Sequence, residues 1–284
     1  MTDTPPKPKD VLALAGLKPK KSWGQNFLTD QNILGIIAGH ALNKRQIRVV
    51  ELGPGTGALT WHLLKQGGQV LAIERDREIA PVLRQVFEWA DGLEVREADA
   101  AKLDYGALHE EMGHPLTVVG NLPYQISSRI LVSVAQAHEH VERIVVMIQK
   151  EVAERLIAEP GTKIYGLLSV LVQRRFAGHI ARHVPPQAFH PPPKVDSSVV
   201  VLTRKASNDG GPSDAVFEKV VKAAFSTRRK TLRNTLGRGL SLESTQVTEI
   251  LESVGVDPGL RAERLSVEQF VQVASALEAR GLLS

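Results

Sequence analysis

The 284-residue chain contains no cysteine, which excludes disulfides, thiolate zinc sites and cysteine nucleophiles together. No apolar run approaches the roughly 18 residues that a membrane-spanning helix needs. The opening MTDTPPKPKD has neither the basic and apolar regions of a secretory signal nor the arginine-rich, acid-poor character of a transit peptide. These absences point to the cytoplasm and to no membrane partner. Internal repeats and low-complexity tracts are also missing. Acidic residues are absent from two stretches: 226–238, which carries Arg228, Arg229, Lys230, Arg233 and Arg238, and 173–194, which carries four basic residues. Lys7, Lys9, Lys18, Lys20 and Lys21 form a third basic cluster. The net charge of +4 is modest, so its clustering carries the information. Any one patch could be a merely solvated face, but three together suit a polyanion such as nucleic acid.

Apolar residues at 43% and charged residues at 23% describe an ordinary globular chain, long enough for one sizeable core and a smaller second domain. After a proline-rich start that turns helical around Val11–Leu14, strand-length apolar runs alternate with helical segments. The strands are Val49-Val50, Val70–Ile73, Leu93–Val95, Leu116–Val119 and Arg143–Ile148; the helices are Leu59–Gln66, Glu78–Trp89 and Ser127–Gln136. This alternation predicts an α/β fold with a mostly parallel sheet. Ser198–Leu202 reads as an added strand, with an edge hairpin near Ser169–Phe176. Residues 206–214 (ASNDGGPSD) read as a linker, dividing a domain over 1–205 from a helical domain over 215–284.

Glu51-Leu52-Gly53-Pro54-Gly55-Thr56-Gly57 follows a strand and opens a helix, where glycines let backbone pass close to a ligand. Gly53-x-Gly55-x-x-Ala58 with Glu74 about 20 residues on also satisfies the dinucleotide fingerprint. Pro54 removes an N–H that a pyrophosphate would use, and E-x-G-P-G-x-G resembles the first motif of class I methyltransferases. That resemblance implies S-adenosylmethionine as cofactor, with a Rossmann-like class I methyltransferase domain beside the helical one. Glu74 and Asp99 end successive strands, placed to accept from ribose hydroxyls and from an adenine amine respectively.

Asn121-Leu122-Pro123-Tyr124 directly follows the Leu116–Val119 strand, at the same sheet edge. In isolation N-x-P-Y can be an ordinary turn. Beside a methyl donor it has a chemical reading. An adenine amine is a weak nucleophile, because its lone pair is delocalised into the ring. Accepting its hydrogens with the Asn121 amide oxygen and the carbonyl of Leu122 or Pro123 favours a pyramidal nitrogen aimed at the methyl. Tyr124 can stack on a base drawn out of its helix. No general base is required.

The chain resembles the ribosomal RNA adenine dimethyltransferase family, in particular its bacterial small-subunit branch. The glycine loop and NLPY carry this, with KKSWGQNFLTD (Lys20–Asp30), PPQAFHPPPKVDSSVV (Pro185–Val200) and AFSTRRKTLRNTL (Ala224–Leu236). The resemblance spans Lys20 to about Leu240. It implies dimethylation of two adjacent adenosines in the 3′-terminal hairpin of 16S RNA, within the immature small subunit, by a monomer. It further implies cofactor contacts from Asn26 and Leu28, a loop over the target base in which Phe189 stacks or plugs the interior, and phosphate contacts from Arg228, Arg229, Lys230 and Arg233. One departure is Ser128-Arg129, where the family usually has proline. Three other readings stay open: the sister activity on large-subunit RNA, an assembly factor whose methylation is incidental, and an NAD-dependent dehydrogenase. His179 with His183, and His138 with His140, suggest metal ligands, but no carboxylate stands at matching spacing, so no metal is expected. Trp23 reads as an anchor of the N-terminal segment.

Overall fold

The structure is a computed structural model that describes residues 4–19, 26–42, 47–206 and 211–283. Trp23, Lys20, Lys21 and residues 207–210 of the expected linker lie outside the described residues. The described chain divides into two units, Met1–Ala153 with Ala177–Arg204, and Glu154–Phe176 with Lys205–Ser284.

The first unit is built on a seven-stranded sheet. Five parallel strands come from the alternating apolar runs: β2 (Arg48–Leu52), β3 (Gln69–Glu74), β4 (Leu93–Glu97), β5 (Leu116–Asn121) and β6 (Val141–Gln149). They read as near-continuous apolar runs because the central strands are covered on both faces: Val49, Val50, Leu52, Val118 and Val119 have no exposed surface. Helices α2 (Gln31–Ala41), α3 (Ala58–Lys65), α4 (Ile79–Val86), α5 (Tyr105–Met112) and α6 (Ser127–Gln136) supply the covering layers. The last strand, β9 (Ser197–Arg204), inserts antiparallel to β6, with β7 (Phe176–Val184) beyond it, giving the order β4-β3-β2-β5-β6-β9-β7. The order reverses at β2, so a crevice opens outside the carboxyl ends of β2 and β5. This is the mostly parallel sheet that the class I methyltransferase resemblance implies. A two-stranded pair joins β1 (Phe27–Leu28) to β8 (Phe189–His190), and Asp30 then caps α2 by accepting from the N–H groups of Asn32 and Ile33.

The second unit is helical. Its core gathers Val216, Phe217, Val220 and Val221 of α9 (Asp214–Ala224) with Leu232 and Leu236 of α10 (Leu232–Leu240), Ile250 and Leu251 of α11 (Ser244–Ser253) and Phe270 and Val273 of α12 (Val267–Ala279). Tyr165 and Val170 belong to the same core. The expected edge hairpin near Ser169–Phe176 is therefore replaced by a helix, α8 (Leu167–Gln173), and the edge strand starts only at Phe176. The apolar, branched run there looks like a strand, but it packs on α9, and Leu167, Val170 and Leu171, at helical spacing, join the core of the second unit.

The expected first domain over 1–205 also loses Glu154–Phe176 to the second unit. The reason lies next to the linker. The Arg174 side chain is 7% exposed, sits 4.0 Å from the Phe217 ring centroid, pairs with Asp214 at 3.0 Å and donates to the Pro212 carbonyl at 2.6 Å. A glycine-rich linker marks where chain is exposed, not how often the chain visits each unit.

Candidate active site

The crevice in the first unit holds a cavity of about 360 Å³, walled by the glycine loop, the ends of β3 and β4, the β1 segment and the NLPY loop. That is within the range of small-molecule sites. Gly55 (φ +55°) and Gly57 (φ +80°) adopt left-handed backbone, and a Cβ on Gly57 would fall 2.4 Å from the Phe87 ring. The three glycines of the loop spend their N–H groups internally. Gly53 N–H donates to the Ile73 carbonyl (2.9 Å), Gly57 N–H to the Pro54 carbonyl (2.9 Å), and Gly55 N–H to Glu74 Oε2 (3.0 Å). Pro54 has no N–H to give. These glycine N–H groups are not available to a pyrophosphate, which suits the loop to walling a nucleoside.

Glu74 is 7% exposed, and its other oxygen accepts from Asp76 N–H at 2.8 Å. Burial holds its carboxyl above the ordinary range, opposed by those two backbone donors. Each carboxylate oxygen has two acceptor sites, so a fixed carboxylate remains able to take a ribose diol. Glu51, 1% exposed, is pushed up to about 8 by burial, against the Thr60 hydroxyl that donates to it at 2.7 Å. Asp99 uses one oxygen to accept Ala101 N–H at 3.0 Å, capping a short 3-10 turn on the cavity wall.

Asn121 ends β5. Its amide nitrogen donates to the Asn26 carbonyl at 3.1 Å, and because only the NH2 arm can donate, the bond settles which arm is the acceptor. The loop backbone is pinned by Leu122 N–H to the Met147 carbonyl and by a turn from Ile126 N–H to the Pro123 carbonyl, both 3.1 Å. Asn26, Leu28, Gly53, Gly55, Glu74, Asp99, Asn121, Leu122, Pro123 and Tyr124 thus wall one cavity.

Residues 16–279 match the family model described as ribosomal RNA adenine dimethylase. The chain belongs to this family. A ribosomal RNA small subunit methyltransferase A from Anaeromyxobacter dehalogenans is 45% identical over 98% of this chain and all of its own. Among solved structures, a dimethyladenosine transferase from Plasmodium falciparum aligns with a TM-score of 0.73 at 25% identity, covering 90% of this chain and 98% of its own. The 23S rRNA methyltransferase ErmE aligns at 0.67 and 27% identity, covering 89% of this chain and 100% of its own.

Of the two readings of Phe189, stacking ring or interior plug, its surroundings favour the plug. It is 4% exposed, packs in the core with Phe27 and Leu28, and pairs across β8 with Leu28, outside the cavity wall. A ring that stacks on a base must present a face, and this one plugs the interior behind a wall residue. Sequence reasoning missed Phe27, whose ring crowds Gly55; a Cβ there would lie 3.1 Å away. Its position inside the Lys20–Asp30 motif was the available signal. Thr60, which holds Glu51, has no local signal.

In the second unit Arg228, Arg229, Lys230 and Arg233 are all exposed. Arg228 donates to the Lys163 carbonyl at 3.2 Å, and no acidic side chain pairs with the four among the described residues. The α10 N-terminus is capped by protein, Leu232 N–H donating to Leu260 and Arg233 N–H to Pro258. Any hold on phosphates there belongs to side chains, not to helix amides. Among the described residues no group of three or more His, Asp or Glu side chains is arranged to bind a metal, and no helix is long and apolar enough to cross a membrane.

Proposed function

We propose that this family member transfers methyl groups to the N6 amines of two adjacent adenosines in the 3′-terminal hairpin of 16S RNA, in the immature small subunit, giving N6,N6-dimethyladenosine. The observation that carries the reading is Asn121, anchored through Asn26 on the wall of a cavity whose three loop glycines have their N–H groups already engaged. S-adenosylmethionine, when bound, supplies a methyl group on a cationic sulfur. Glu74 would take the ribose hydroxyls and Asp99 the cofactor's adenine amine, with Asn26, Leu28, Gly53 and Gly55 as walls.

At the other end, the Asn121 amide oxygen accepts one N6 hydrogen of the target adenine. The second acceptor is the carbonyl of Leu122 or of Pro123, the latter already accepting Ile126 N–H with one of its two lone pairs. Two fixed acceptors hold the amine pyramidal and aim its lone pair, so catalysis is positioning and exclusion of water. Tyr124 stacks on the base, and the proton leaves to solvent after transfer. The basic loop of the second unit holds RNA phosphates and makes binding salt-dependent.

The test is incubation with radiolabelled S-adenosylmethionine and unmethylated small subunits, followed by identification of the labelled nucleoside by mass spectrometry. Dimethyladenosine in the 3′-terminal hairpin is expected. Label in large-subunit RNA instead would reassign the substrate, and tight subunit binding without transfer would leave an assembly factor.

A further inference from the structure

The Tyr124 hydroxyl and the Ser197 Oγ lie 2.6 Å apart, in a hydrogen bond that either can donate. Ser197 has no exposed surface. It is the first residue of β9, faces Gln149 of β6 in the sheet register, and follows Asp196, whose carbonyl accepts Lys150 N–H at 3.0 Å. Since β9 runs antiparallel to β6, its start lies at the carboxyl edge, level with the NLPY loop. Ser197 is therefore a fixed post, while Tyr124 sits half-buried on the cavity wall.

The other bonds of this loop hold its backbone and leave the ring free to swing about its first side-chain torsion. A bond at the phenol oxygen removes that swing, because the oxygen lies at the far end of the ring's long axis. Ring flips about that axis are untouched, and they do not matter for stacking. Stacking itself does not need the hydroxyl, since phenylalanine presents the same face. We infer that Ser197 is a positioning residue for methyl transfer, holding the Tyr124 ring where the adenine amine meets Asn121.

The inference rests on Tyr124 being the stacking ring, so the test separates the two. Single-turnover methyl transfer to unmethylated small subunits is measured for Ser197→Ala, Tyr124→Phe, the double variant and Tyr124→Ala, with methyl-donor affinity and melting temperature measured alongside. Ser197→Ala and Tyr124→Phe should each slow transfer on the order of tenfold, short of the cost of a full ångström of misplacement, with methyl-donor affinity unchanged. The double variant should be no slower than the slower single, because both remove one bond. Tyr124→Ala should be slower still. Ser197→Ala at the parent rate, or losses that multiply in the double variant, would overturn the positioning role while a slow Tyr124→Ala upholds stacking. Tyr124→Ala at the parent rate would remove the stacking reading and this inference with it. If Ser197→Ala does not fold, Tyr124→Phe decides alone: parent-rate transfer overturns the inference.

Discussion

The ionisable groups of the cavity and of the basic loop are treated in opposite ways. In the first, Glu51 and Glu74 are 1% and 7% exposed, and each is held by specific donors: Thr60 for one, Gly55 and Asp76 N–H for the other. In the second, Arg229, Lys230 and Arg233 stand exposed, with no carboxylate beside them among the described residues. A cavity that selects one small ligand gains from groups frozen before the ligand arrives. A surface for a long polyanion gains from solvated cations that release counterions and adapt to the phosphate spacing. On the proposed reading, burial and exposure of ionisable groups are matched to ligand size, and that match can be attacked from both sides.

The largest expected effect tests whether the buried half is ordered by packing. Phe189→Ala should cost about 3–5 kcal/mol of stability, as for other buried aromatic truncations, read by chemical denaturation. The fraction that remains folded should still transfer methyl groups. Unchanged stability with lost transfer would return Phe189 to the substrate. Next, Asn121→Ala removes an acceptor that matters at the reacting nitrogen and should slow transfer by about 10²–10³, or roughly 3–4 kcal/mol. Cofactor affinity should change far less, and near-normal turnover would sink the role assigned to the amide.

Replacing Arg228, Arg229 and Lys230 together by alanine acts on the exposed half. It should lower the slope of log affinity for RNA against log salt by roughly 2–3, close to one for each phosphate no longer neutralised. Cofactor affinity, set in the other unit, should not move. An unchanged salt slope would mean that these cations face solvent only.

Much of this was legible in the sequence because its causes are local. Strands β2 through β6 announce themselves as short apolar runs, and the glycine loop and NLPY sit where a strand ends. What escaped depends on distant partners. Leu167–Gln173 has a strand-like composition, and only its packing on α9 makes it helical. Phe189 reads equally as a stacking ring or a plug in sequence, and its burial shows only through its pairing with Leu28, far back in the chain. Ser197 meets Tyr124 across 73 positions, a distance at which no periodicity or motif spacing speaks.

A pH effect separates the buried ionisable group from the solvated cations most cleanly. Glu51 titrates near 8 in the folded chain against an ordinary 4.5, with burial as the main cause. Below 4.5 it is protonated in both folded and unfolded chains, and its contribution is fully present. As pH rises toward about 8, the unfolded chain ionises while the folded one stays neutral, so stability is progressively lost; above that both are ionised and the loss stops growing. Glu51→Gln keeps an acceptor for Thr60 and removes the titration. The melting temperature of the variant should therefore gain on the parent across this window, and Glu74, present in both chains, cancels in the difference. Parallel melting curves would mean that Glu51 is not held neutral. The gain should be nearly insensitive to salt, because a buried group is poorly screened, whereas the loss of the exposed cations should register in salt and not in pH. A variant of either group that responded to the other variable would break the division between the frozen site and the solvated surface.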